Sequence, residues 1–157
     1  METIEYIEGD ATNPIGTEIK IIVHVCNDIG GWGKGFVLAI SKKWKKPEKA
    51  YRKWHASKED FGLGEVQFVQ VEADLWIANL IGQHKIRKSP NGLPPIRYEA
   101  IESGLKKVAV KALSINASVH MPRIGCGLAG GKWDKIEPIV QENLISKQVL
   151  TIVYDFK

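Results

Sequence analysis

Cysteine is scarce: Cys26 and Cys126 are the only two in 157 residues, and they form no CxxC pair. Neither a disulfide framework nor a structural zinc site follows from that spacing, and no metal or cofactor is expected. The chain also lacks an apolar run approaching the ~18 residues of a membrane span. Its start, METIEYIEGD, has no basic segment leading into an apolar one, so no signal peptide is read there. A cytoplasmic, membrane-free protein with free thiols is expected. Repeats, low-complexity stretches and linkers are missing as well. That favours one domain over residues 1–157, acting as a monomer.

What is present is globular in balance, with 44% hydrophobic and 25% charged residues. The net charge is +4, yet residues 41–53 carry seven basic residues against Glu48 alone, a local +6. Trp44 and Tyr51 lie within this cluster. A short cluster of this kind reads as a solvated helix face, so direct nucleic-acid binding is not expected.

β-rich runs alternate with helical patterns. Strands are predicted over Thr3–Ile7, Ile19–Val25, Glu65–Val71, Leu75–Ile81, Ser118–Met121 and Val149–Tyr154. Helices are predicted over Gly35–Trp44, Pro47–His55, Ile96–Leu113 and Glu137–Leu144, the last starting near Pro138 because proline suits a first turn. This alternation predicts a three-layer α/β/α sandwich with a mixed, roughly six-stranded sheet.

Eight of the 15 glycines fall in two windows, Gly30–Gly35 and Gly125–Gly131, each after a strand and before a helix. In an open α/β sheet, ligands bind at such positions. Glycine there lets backbone N–H groups approach a bound oxygen, and a helix start favours an anion. Two such loops imply an elongated ligand with phosphate near its middle. Gly125–Gly130 also matches the GxGxxG spacing, and Asp155 ends the last strand, which keeps a Rossmann-like dinucleotide module as a remote alternative. Neither window has the GK[ST] of a phosphate-binding P-loop.

The segments EGDAT (Glu8–Thr12), HVCNDIGGWGKGF (His24–Phe36), NLIGQ (Asn79–Gln83), PPIRYEAI (Pro94–Ile101), HMPRIGCGLAGGKW (His120–Trp133) and VYD (Val153–Asp155) together resemble the macrodomains. The likeness is to the group containing the yeast ADP-ribose-1″-phosphate phosphatase and the terminal ADP-ribose protein glycohydrolase. It implies a cleft for ADP-ribose, free or attached to a macromolecule. Asp10 matches the residue that binds the adenine amino group, with backbone contacts from Ala11 and Thr12. Asn27 matches the position facing the distal ribose. Gly33, Gly35 and Phe36, with Ile124, Gly125, Cys126, Gly127 and Leu128, match the diphosphate loops, and Arg123 either assists them or covers surface. Tyr154 or Phe156 would flank the adenine.

The resemblance also implies catalysis, and here the chain departs from the pattern. The attacking lysine of the glycohydrolase falls on Gln83 and its assisting aspartate on Ala129. Lys34, Asp28 or Lys85 would have to substitute. His24 matches a phosphatase histidine and is the candidate acid or base, with Asn27 orienting the ribose; its apolar strand equally suits a buried core histidine. His120, Cys26 and Cys126 read as structural. The expectation is a hydrolase acting on ADP-ribose-1″-phosphate or on ADP-ribosyl groups of a macromolecule, or else a non-catalytic ADP-ribose reader.

Overall fold

The alternation of β2 (Ile19–Asn27) divides the molecule into layers. Ile21 and Val23 are buried in one core, Ile22 and Cys26 in another, because successive strand residues face opposite ways. β4 (Leu75–Gln83) repeats this: Ala78 and Leu80 join the first core, Ile77 and Ile81 the second. Strands apolar on both faces need cover on both faces. α3 (Tyr98–Ile115) and α4 (Trp133–Asn143) cover the first with Ile101, Leu105, Val108, Ile136 and Val140. On the other face, α1 (Phe36–Lys43) and α2 (Lys46–Ser57) supply Val37, Ile40 and Tyr51.

The computed structural model describes residues 3–156. β1 (Glu5–Glu8), β3 (Val66–Glu72), β5 (Ala117–Met121) and β6 (Thr151–Asp155) complete a six-stranded sheet in the order β1-β6-β5-β2-β4-β3. Neighbours are parallel except β3 on β4, so the sheet is mixed and the architecture is the expected α/β/α sandwich. The five parallel strands therefore end on one edge, and both glycine windows lie there.

Two boundaries differ from the sequence expectation in ways that matter. β2 runs past Val25 to Asn27, with a register shift between Cys26 and Asn27 that sets Asn27 opposite Gln83. α4 begins at Trp133 rather than near Glu137, so Pro138 sits in its second turn. The proline forfeits one helical hydrogen bond. Full burial of Ile136 and Val140, roughly 2 kcal/mol each, carries the helix through it.

Candidate functional site

The two glycine loops meet. Gly35, the residue before α1, has φ of +85°, and a Cβ there would lie 3.4 Å from Leu128 Cδ1 of the second loop. The left-handed conformation favours glycine, and the contact shows how close the two loops come. In the second loop, a Cβ on Gly131 would come within 2.5 Å of the Gly125 carbonyl oxygen, to which the Gly131 N–H donates at 2.7 Å. Space around Gly33 and Gly127 is open. Among the described residues nothing accepts the N–H groups of Gly33, Gly127 or Leu128, and α1 starts without a side-chain cap. Unpaired donors and a helix start make this edge favourable for an anion.

Asn27 shapes the first loop. Its Oδ1 accepts the N–H groups of Ile29 and Gly31 at 3.0 and 2.9 Å, while its Nδ2 donates to the Gly31 carbonyl at 2.8 Å. The residue borders the cavity, but most of its polar capacity is spent on the loop itself.

Beside α1 lies the turn after β1. Asp10 Oδ1 accepts the Thr12 N–H at 2.8 Å and the Thr12 hydroxyl at 2.7 Å. Burial works to raise the Asp10 pKa, but those two bonds and the Lys43 charge outweigh it and hold the carboxyl below its usual range. Lys43 also donates to the Thr12 carbonyl at 2.7 Å, tying this turn to the end of α1. Ala11, Ile152 and Tyr154 pack as a small cluster under the turn, with Phe36 against it. Tyr154 is buried, and its hydroxyl is engaged by the Ile15 N–H and His120 Nδ1. It supports the turn from below, while Phe156 is 81% exposed.

At the far side is a cavity of about 710 Å³ lined by Asn27, Gly33, Gln83 and Leu128, and by much of the segment 84–97. Lys34, Lys85, Arg87, Lys88 and Arg97 contribute cations to it, the His84 ring also lines it, and no aspartate or glutamate does. The segment is held by hydrogen bonds from His84 N–H to the Pro95 carbonyl and from Ile96 N–H to the Ala129 carbonyl. Of the cations on this wall, sequence reasoning reaches Lys34 and Lys85 but not Arg87, Lys88 or Arg97. The only signal for it is the run of His84, Lys85, Arg87 and Lys88 between NLIGQ and PPIRYEAI.

Other candidate residues lie in the core, in an ion pair or in local hydrogen bonds, and the burial of His120 and Cys26 agrees with their structural reading. His24 is not on the cavity wall: it is buried between Trp32, Phe36 and Asn79, with Nε2 2.6 Å from Asn79 Oδ1. Burial lowers its pKa to about 4, which keeps it neutral and inside the core. His120 is likewise buried between Ser118 and Tyr154. Arg123 pairs with Asp155 at 2.6 Å and covers Tyr6 and Trp133, so the two charges engage each other at the surface. Cys26 is buried in the second core, and burial pushes its thiol pKa up. Gln83 donates to the Lys85 carbonyl at 2.9 Å, and Ala129 is buried.

No family profile matches the chain. It is 34% identical to chromodomain-helicase-DNA-binding protein 1-like of Mus musculus over 98% of its own length, but spans only 18% of that protein. With the ADP-ribose 1″-phosphate phosphatase of Lodderomyces elongisporus it shares 25% identity over 89% of this chain and 92% of the phosphatase. A macrodomain protein from Streptomyces coelicolor superposes with a TM-score of 0.87 at 52% identity, covering 97% of this chain and 98% of its own. A relative so similar, matched along nearly its whole length, shows that this chain belongs to the macrodomain family.

Proposed function

We propose that this macrodomain binds ADP-ribose along the carboxyl edge of its sheet and hydrolyses an ADP-ribose derivative. The substrate class is ADP-ribose-1″-phosphate or an ADP-ribosyl group on a macromolecule. Adenine lies at the Asp10–Thr12 turn, where Asp10 Oδ2 is available to its amino group. The diphosphate spans Gly33, Gly35 and the start of α1 on one side and residues 124–128 on the other. The distal ribose enters the cavity beside Asn27. The observation that carries this reading is the meeting of two loops with unpaired N–H groups at the mouth of a cavity whose charged lining is cationic. A diphosphate needs converging donors, and these supply them. The phosphatase relative supports the hydrolytic part by its name.

A second reading, a reader of free or attached ADP-ribose that does no chemistry, has its own support. Gln83 and Ala129 stand where the glycohydrolase pattern has its lysine and aspartate, and neither can attack or take a proton. Calorimetry with ADP-ribose and AMP tests the binding. Micromolar or tighter affinity for ADP-ribose and weaker binding of AMP are expected. Incubation with ADP-ribose-1″-phosphate and ADP-ribosylated peptides separates hydrolase from reader.

A further inference from the structure

The glycine loops do not account for His84 on the cavity wall, nor for the Asp28 carboxylate bonded behind it. Asp28 follows β2 and His84 follows β4, and these neighbouring strands end in register, Asn27 opposite Gln83. His84 Nδ1 lies 2.7 Å from Asp28 Oδ2. The other Asp28 oxygen accepts the Lys85 N–H at 2.7 Å, so the carboxylate is fixed from two directions. Its side chain is only 16% exposed, whereas the His84 side chain is 43% exposed and borders the cavity.

A carboxylate only accepts, so a neutral His84 carries its proton on Nδ1 and keeps the lone pair on Nε2. Among the described residues Nε2 has no hydrogen-bond partner. A base oriented by a carboxylate held from two directions, with its second nitrogen open to a cavity, is the arrangement that activates a hydroxyl or a water elsewhere.

We infer that Asp28 and His84 form a general-base couple acting on water at the distal ribose, for substrates whose leaving oxygen departs as an anion. This rests on the ADP-ribose reading above and supplies a basic group that Gln83 and Ala129 lack. Nε2 takes a proton from water as the water oxygen bonds to C1″ of the ribose. The C1″–O bond breaks, and its electron pair leaves with the phosphate or carboxylate oxygen. The imidazolium then returns its proton to solvent. The products are ADP-ribose and a free phosphate or carboxylate.

No general acid is required, because a carboxylate leaves without a proton and a phosphate monoester that keeps its own proton leaves as hydrogen phosphate. An alcohol leaving group would need one. The charge of the wall agrees with an anionic leaving group: Lys34, Lys85, Arg87, Lys88 and Arg97 line the cavity with no carboxylate among them. Arg97 is committed to the carbonyls of Pro94, Pro95 and Ile96, which leaves the three lysines and Arg87 to receive the departing charge.

The test compares wild type, His84→Ala, His84→Gln and Asp28→Asn on ADP-ribose-1″-phosphate, a glutamate-linked ADP-ribosyl peptide and a serine-linked one. Wild type should cleave one or both of the first two and leave the serine linkage intact. His84→Ala should lower kcat by about 10²–10⁴-fold, with ADP-ribose affinity by calorimetry unchanged within about twofold. Imidazole added to that variant should restore about tenfold of the lost rate, which a merely structural role would not allow. Asp28→Asn should fall between wild type and His84→Ala. If the alanine variant does not fold, His84→Gln takes its place, with the same loss of kcat expected. A kcat within about threefold of wild type, failure of imidazole rescue, or equal cleavage of the serine linkage overturns the inference. Wild type that binds ADP-ribose but cleaves nothing also overturns it while leaving the binding site in place. Wild type that fails to bind ADP-ribose overturns the reading beneath it.

Discussion

The Tyr51 hydroxyl, on α2, lies 2.6 Å from the Asn27 carbonyl oxygen and 2.9 Å from its Oδ1. It also accepts the Gly30 N–H at 3.1 Å. One phenol from the helical layer thus fastens both the end of β2 and the start of the first glycine loop. Tyr51→Phe leaves these buried groups short of a partner, a loss of about 1–3 kcal/mol. Urea denaturation should show that loss, and ADP-ribose affinity should fall with it as the loop loosens. An unchanged midpoint would mean that Asn27 alone holds the loop.

Gly35→Ala is expected to weaken ADP-ribose binding more than it weakens the fold. The substitution forces an L side chain into φ of +85° at the start of α1, costing about 1 kcal/mol of stability. It also places a methyl against Leu128 where the two loops meet. Calorimetry and thermal denaturation of the same variant separate the two effects. Equal losses in both would remove Gly35 from the anion site.

Asp10→Ala should reduce ADP-ribose affinity by roughly 1–3 kcal/mol, the cost of losing a hydrogen bond to a charged group. AMP binding should fall by a similar factor, since both ligands carry the adenine. Affinity for ADP-ribose that survives the substitution on folded protein would move the adenine elsewhere.

The two buried histidines make stability sensitive to mild acid. Burial lowers the pKa values of both His24 and His120 to about 4 from an ordinary 6.5. Below pH 6.5 the unfolded chain binds these protons and the folded chain does not, so stability falls as pH drops toward 4. The slope should approach about 2.7 kcal/mol per pH unit for the pair, at about 1.36 for each group. Denaturant titrations at pH 7, 6 and 5 measure it, and His24→Gln should roughly halve it. A flat profile between pH 6.5 and 5 would show that both rings are protonated in the folded protein, and a slope half as steep that one of them is.

How far the sequence can be read depends on what each residue answers to. Strands such as IKIIVHV announce themselves because burial on both faces demands a continuous β-branched run, and the glycine windows stand out because few other residues fit their turns. The start of α4 is misplaced from sequence because proline preference is local, whereas Ile136 and Val140 answer to the core across the whole helix. His24 sits in a motif that suits catalysis, and only packing reveals that Trp32, Phe36 and Asn79 enclose it. His84 is hidden for the opposite reason. It lies in an irregular segment without periodicity, and its partner Asp28 is 56 positions away.

The pairing of β1 with β6 has a consequence for synthesis. The strand nearest the N-terminus docks beside the strand nearest the C-terminus, and the Gly9 N–H donates to the Asp155 carbonyl at 3.0 Å. On the ribosome, β1 emerges first yet has no neighbour until residue 155 is translated and β6 has settled on β5. The turn bearing Asp10 hangs from that edge. During translation the glycine loop after β2 can therefore form early, while the Asp10 turn is placed last, after a wait of roughly 10–30 s at the usual rate of elongation.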